Sequence, residues 1–525
     1  MRRPRWAILG LAAAIVSVGL ALWLAWSLRP ARLKDHAVSV LAEHLGLDVT
    51  LEELSFSVWP GTGISGRGLV LRVPGHPDIP PFVSIDRFRV DGGVQSVLAG
   101  HFRAAHLEGL KVTLPPGDAK REISNGGKGG NSGNVGASRV IIDLIETPNA
   151  EFTILRRKPG DPPLVFQIHE LTLKDVGFNR QVPFHAKLTN PIPRGLVDST
   201  GHVGPFPKGQ PVELPISGDY SFTAADLNTI RGIGGILSST GRYAGVLSRL
   251  GVEGRSETPD FTLDLGGKPL PLTATFRTVV DGTDGSVSLQ QVDAKLLNTD
   301  IQVTGLLDNL PGPGNRDIKL NARVTKGRIE DLLRLVVDSP TRVLSGEVTL
   351  EAAVAIPPGP KPKRQRLHVA GRFELAAAHF DQPQIQAKVV ELSRRGQGRG
   401  QEKDAGDRPV NVFSNMRSGF EIRQGVLTVR DLTFEVPGAV VAMNGNYNTI
   451  TGALDLEGEA RLEAPLSKVV GGWKSVFVRP FDFALKRSGA GTVIPIAISG
   501  TRNSPQLRIR FGAMIKHAGG DAEWK

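Results

Sequence analysis

The stretch GTGISG, Gly61 to Gly66, has the spacing of a dinucleotide fingerprint, in which glycines let the backbone approach a pyrophosphate seated at a helix N-terminus. That chemistry needs the helix. Arg67 to Val73 reads instead as a strand, with Leu69, Leu71 and Val73 alternating, so the glycines are expected in a hairpin turn. GGWKS, Gly471 to Ser475, ends like a phosphate-binding loop, but Trp473 interrupts the Gly-Lys pair and the upstream glycine is missing. The 11 histidines form no HExxH pair, and His36 with His44 or His101 with His106 lack the i, i+4 spacing that sets two zinc ligands on one helix face. No GxSxG elbow occurs, the carboxylates are scattered through turns, and the absence of cysteine removes thiol nucleophiles, thiolate metal sites and disulfides. No catalytic residue, metal or cofactor is therefore expected, and the reading is that of a protein that is not an enzyme.

The elements around these stretches carry more information. The chain has 525 residues with 62 Gly and 37 Pro, 40% hydrophobic and only 6% aromatic, a composition suited to many short strands and turns. Its net charge of +11 suits an anionic surface, yet arginines such as Arg508 and Arg510 alternate with apolar residues as on a solvated strand face. No basic-plus-aromatic stacking pattern appears, so nucleic acid is not an expected partner.

Arg2, Arg3 and Arg5 precede a charge-free, mostly apolar run from Ala7 to Leu28. At about 22 residues it would be roughly 33 Å long as a helix, enough to cross a bilayer core. The basic residues keep the short N-terminal side in the cytoplasm and send the chain after Arg29 across the membrane. The run exceeds the ~7 to 15 residues of a signal-peptide core, which favours an uncleaved anchor over cleavage after Ala25-Trp26-Ser27.

Beyond the anchor, Ala31 to Leu45 predicts a short helix ending at Gly46. Strand signals follow: Leu54, Phe56 and Val58 before Pro60-Gly61; Leu69, Leu71 and Val73 before Pro74-Gly75; Leu171 and Leu173; Leu272, Ala274 and Phe276; Ile301 and Val303; Leu427 and Val429; Leu432, Phe434 and Val436. Near the end, Ile494, Ile496 and Ile498 share one face, as do Leu507, Ile509 and Phe511 beyond Gly500 and Pro505. Gly254 and Pro259 repeat the spacing of Gly500 and Pro505, with Phe261, Leu263 and Leu265 following, and predict a second copy of this hairpin. Ile329, Leu332, Leu333 and Val336 form a helical stripe, and Ala225 to Ile230 a shorter one. Flexible loops are expected at Gly117 to Ser138, Pro357 to Arg364 and Arg394 to Arg408.

The C-terminal segment Val493 to Phe511, the stretch GVLTVRDLTFEVPGA from Gly425 to Ala439 with Gly445-Asn-Tyr447, and an N-terminal anchor followed by Leu45 to Leu51 together resemble the AsmA family and its AsmA-like C-terminal region. The likeness runs from Met1 to about Phe511 and rests on the order of the pieces. It implies anchoring in the bacterial inner membrane with the bulk of the chain in the periplasm. Through the likeness of that family to chorein-like bridge proteins, it implies a long, curled, antiparallel β-sheet with an apolar groove and few short helices. Such a groove carries phospholipid towards the outer membrane or supports outer-membrane assembly, with the inner membrane, its phospholipids and other envelope proteins as partners. The expected division is an anchor at 1–30, a repeating β-groove region at 31–390, a flexible loop at 391–409 and a C-terminal β region at 410–525. The expected groove residues are Leu54, Phe56, Val58, Leu69, Leu71, Phe261, Leu263, Leu427, Val429, Ile494, Ile496, Ile498, Leu507, Ile509 and Phe511.

Strands that are apolar on one side only must hide that side by closing, by packing a second layer or by holding lipid. Two other classes compete: a structural or chaperone-like periplasmic protein built of sealed sandwiches, and a polysaccharide-binding module. With 6 Trp and 3 Tyr, three of the Trp within the first 26 residues, sugar stacking has little to work with.

Overall fold

Period-two alternation becomes strand along most of the described residues. The computed structural model describes residues 38, 42, 48–57, 63–72, 80–92, 101–114, 141–155, 163–177, 180–205, 215–230, 232–246, 248–264, 267–281, 285–310, 316–337, 342–361, 363–399, 412–464, 492–501 and 504–509. These are mostly β and overwhelmingly antiparallel. They divide into two compact units, one drawing on Met1–Phe261, Thr273–Gln290 and Asp308–Asn315, the other on Thr262–Leu272, Gln291–Leu307 and Arg316–Lys525. The break expected at 391–409 falls inside the second unit.

In the first unit Gly63–Arg72 pairs with Asp48–Thr50, Glu53–Ser57 and Val83–Asp91. Strand Ile141–Ile154 then runs parallel to both His101–Glu108 and Lys111–Leu114. Parallel neighbours need a long connection, and residues 115–140 supply one. From Leu164–Val176 through Val182–Pro191, Arg194–Val203, Pro215–Asp226, Ile236–Val246 and Arg249–Leu263 the pairing is antiparallel. The early strands enclose a core of Leu69, Leu71, Phe82, Val83, Ile85, Phe88, Val90, Leu107, Ile142 and their neighbours, against which Val38 and Ala42 pack. Those two residues are the described part of the predicted helix from Ala31 to Leu45, and both are helical.

The expected hairpin repeat is corrected here. Arg249–Leu263 is one continuous strand, with Gly254 opposite Gly241 in its middle and Pro259 within it. Gly254 serves a close approach rather than a turn: a Cβ there would lie 2.5 Å from the Thr240 carbonyl oxygen and 3.1 Å from the Gly241 Cα. Tyr220 and Tyr243 lie over this glycine pair and the matching Gly201–Gly218 pair, their hydroxyls 3.2 Å from Ser239 Oγ and 2.7 Å from Ser199 Oγ.

In the second unit nine successive strands pair in chain order: Arg316–Arg328, Leu344–Ile356, His368–Phe380, Ser414–Arg423, Val426–Val436, Ala439–Asn448, Ala453–Leu462, Thr492–Thr501 and Ser504–Ile509. The hairpin at Gly500 and Pro505 forms as expected, with those two residues directly opposite each other.

Helices are few. The stripe at Ile329 becomes α1 (Ile329–Arg334), shorter than its pattern, and within it Asp331, 2% exposed, turns inward to accept hydrogen bonds from Asn298 N and Thr299 Oγ1 at 3.0 and 3.1 Å. The segment from Ala225 to Ile230 tightens into a 3-10 turn, Leu227–Thr229, capped by Asp226. Two loop expectations are corrected. Lys363–Arg366 forms a helical turn, and α2 (Pro383–Gly396) runs through Arg394 to Gly396, starting at a proline whose missing N–H costs nothing in a first turn. No helix of the described residues is long and apolar enough to cross a membrane, and the run Ala7 to Leu28 lies outside them.

Candidate functional site

The hairpin-turn expectation for the GTGISG stretch is corrected for its described part: Gly63 and Gly66 lie inside strand Gly63–Arg72, Gly66 opposite Leu54 and Phe88, where a dinucleotide site would need a helix. Gly471 to Ser475 lies outside the described residues. Several histidines sit on strand surfaces against carboxylates, as in His185–Asp198 at 2.8 Å and His368–Glu421 at 3.0 Å.

A partly open apolar surface belongs to the second unit. Cross-strand register puts Phe420, Val429, Gly445, Leu456, Ile498 and Leu507 in one row. A neighbouring row holds Val354, Val369, Ile422, Leu427, Tyr447 and Leu454. A third holds Met416, Phe434, Val441, Ala460 and Ile494. Bulges between Leu375 and Ala378, and between Val429 and Leu432, absorb one extra residue each, so the apolar side chains keep to the same face across them.

Exposure varies across this face in one direction. At one edge helices cover it: α2 packs Val389 with Val436, Ala439 and Leu462, and α1 packs Ile329 and Leu332 with Val324, Val348 and Leu375. Polar contacts hold α2 down, Ser393 Oγ donating to the Pro437 carbonyl at 2.7 Å and Gln386 Nε2 to the Val412 carbonyl at 2.7 Å. Away from the helices the same rows are only partly buried, including Val354, Val369, Leu427, Val429, Leu454, Leu456, Ile496 and Ile498.

The opposite face is charged and paired. Glu351 meets Arg323 at 2.9 Å and Arg372 at 2.6 Å, and Glu421 meets Arg430 at 2.6 Å as well as Arg423 and His368. Such exposed pairs contribute little stability, and their consequence is to mark which face water sees. The hydrogen bond from His368, and then the charges of Arg423 and Arg430, hold the Glu421 carboxyl below its ordinary value of 4.5. A depressed folded value means that Glu421 stabilises the fold above that ordinary value and that the contribution disappears as pH falls through the folded one. Glu421→Gln is expected to flatten the fall of the unfolding midpoint between about pH 5 and pH 3. Parallel curves for the two proteins would exclude this role.

The expected groove residues separate into groups. Leu427, Val429, Ile494, Ile496 and Ile498 come together on the apolar face of the second unit. Leu507 and Ile509 are registered opposite Ile498 and Ile496, and Arg508 between them is exposed as expected. Leu69 and Leu71 are 2% and 0% exposed in the closed core of the first unit, with Leu54 packed against it. No open surface reaches that pair. Phe56 pairs through its backbone with Ile64, while Phe261 and Leu263 are half-buried near the end of one strand. Val58 and Phe511 lie outside the described residues. Sequence reading missed Val354, Val369, Phe420, Ile422, Leu454 and Leu456, although each belongs to an alternating run of the kind it used elsewhere.

No protein-family model, no curated protein and no solved structure matches this chain.

Proposed function

We propose that the protein carries membrane phospholipid on the apolar face of its second unit, as an inner-membrane-anchored periplasmic protein of the AsmA type working towards the outer membrane, and that it is not an enzyme. The observation that supports this reading is the one-way change in exposure: nine strands present an apolar face that helices seal at one edge and leave half-open at the other, while the reverse face is ion-paired. An acyl chain asks only for a continuous apolar surface, and each buried CH2 contributes about 0.8 kcal/mol. The curl of the sheet into a groove belongs to the same proposal. The sealed core around Leu69 and Leu71 favours a purely structural role for the first strands, as the competing chaperone-like reading would have it for the whole chain.

Photoreactive residues at Leu427, Ile494 and Ile498 in cells are expected to capture phospholipid, and Ile496→Asp is expected to reduce capture severalfold by setting an unpaired carboxylate among them. A folded, membrane-bound protein that captures no lipid at these positions would replace the lipid reading with the structural one.

A further inference from the structure

The half-open edge of the apolar face ends in hairpin turns, and the first of them is strongly basic. Between Ile356 and Val369 the chain reads PPGPKPKRQRLH, which contains Lys361, Lys363, Arg364, Arg366 and His368 and no acid. The described residues of the loop are tied to one another. Lys363–Arg366 forms a helical turn, and Arg366 donates through Nε to the Lys361 carbonyl at 2.7 Å and through Nη1 to the Pro357 carbonyl. Both partners are carbonyls, and among the described residues Arg366 meets no carboxylate. Lys361 is exposed and makes no ion pair among the described residues. Two carboxylates on the flanking strands are engaged elsewhere, Glu421 with His368, Arg423 and Arg430, and Asp317 with Lys319 at 2.7 Å.

The loop joins the two strands whose last apolar residues, Ile356 and Val369, lie on the apolar face. From Ile356 back to the buried Val348 at the sealed edge the strand covers about 26 Å at ~3.3 Å per residue. One leaflet of a bilayer core is about 15 Å deep, so an acyl chain headed at the loop fits before the helices close the face.

We infer that the loop from Pro357 to Leu367 holds the anionic headgroup of a lipid whose acyl chains lie on the adjoining apolar face. This rests on the lipid-carrying reading above and adds to it a headgroup preference and a direction of lie: charge at the open edge, hydrocarbon towards α1 and α2. Position supplies the selectivity, since cations near a negatively charged lipid surface attract it by an amount that adds up residue by residue.

The full-length protein in mild detergent is offered fluorescent phosphatidylglycerol and phosphatidylcholine with matched acyl chains, and bound lipid is measured after separation. The triple variant Lys361→Glu, Lys363→Glu, Arg364→Glu spares Arg366, which folds the loop. It is expected to lose capture of phosphatidylglycerol by roughly tenfold or more while capture of phosphatidylcholine is unchanged. Ile422→Asp, on the apolar face, is expected to lower capture of both lipids. Equal loss of both lipids in the triple variant, or no loss of either, overturns the inference and leaves the lipid reading standing. Displacement of phosphatidylglycerol by excess inorganic phosphate, with Ile422→Asp without effect, would also overturn it, because the loop would then be a free-anion site. Failure of the unaltered protein to capture either lipid overturns the lipid reading itself.

Discussion

Leu71→Asp is expected to unfold the first unit, whereas the same change at Ile496 in the second is expected to be survived. Leu71 is 0% exposed on a strand flanked by Asp48–Thr50 and Val83–Asp91, and the core around it includes Leu69, Phe82 and Ile85. An aspartate there loses the packing of a large side chain and leaves a carboxylate with no partner and no water. The two losses together come to at least ~5 kcal/mol, comparable to the whole stability of a typical domain. Ile496 is only partly buried, packed beside Val441, Met443 and Ala460 with Gly458 opposite it on one side, so a carboxylate placed there is less enclosed than at Leu71. The expected cost is about 1 to 2 kcal/mol. Limited proteolysis and urea unfolding of the two variants check this contrast. A Leu71→Asp protein with an unchanged midpoint would mean that the first core is open to solvent or lipid, and the contrast between the closed core around Leu71 and the partly open face of the second unit would be lost.

Gly254→Ala is expected to destabilise the first unit by about 3 kcal/mol, a large effect for one methyl group. The new Cβ would meet the Thr240 carbonyl oxygen at 2.5 Å, the Tyr220 hydroxyl at 2.9 Å and the Gly241 Cα at 3.1 Å. Two of these three neighbours are backbone of the paired strand, which cannot retreat without breaking the ladder from Ser238 to Val246. Gly251, three residues earlier on the same strand, is the control. A Cβ there meets only the Ala244 carbonyl oxygen at 3.3 Å, and Gly251→Ala is expected to cost under about 1 kcal/mol. Thermal unfolding midpoints of the two variants decide the matter. Equal midpoints would return Gly254 to the role its spacing suggested, that of a tolerant turn residue.

That pair of glycines shows where sequence reading stops. The spacing of Gly254 and Pro259 copies that of Gly500 and Pro505, yet one pair sits inside a strand and the other faces across a hairpin. Both residue types mark a place where ordinary side chains or N–H groups are unwelcome, and a turn is only one such place. α2 was readable, with Pro383 at its start, Val389 and Leu392 on one side and Gly396 at its end, but the Gly-rich charged run beyond it masked the pattern.

What the sequence determined by itself was local: a β protein of one-sided strands, a short helix at Ile329, a hairpin at Gly500, and arginines such as Arg508 on the wet side. Each follows from alternation or turn chemistry within about ten residues. What only the tertiary structure decided was whether an apolar row is sealed. Leu69 and Leu71 alternate just as Leu427 and Val429 do, yet the first pair is enclosed and the second half-open. The parallel docking of Ile141–Ile154 and the covering of one sheet edge by α1 and α2 were equally beyond local reading. Burial depends on what arrives from distant parts of the chain to cover a face, and the period of a strand says which side needs a cover without saying what provides it.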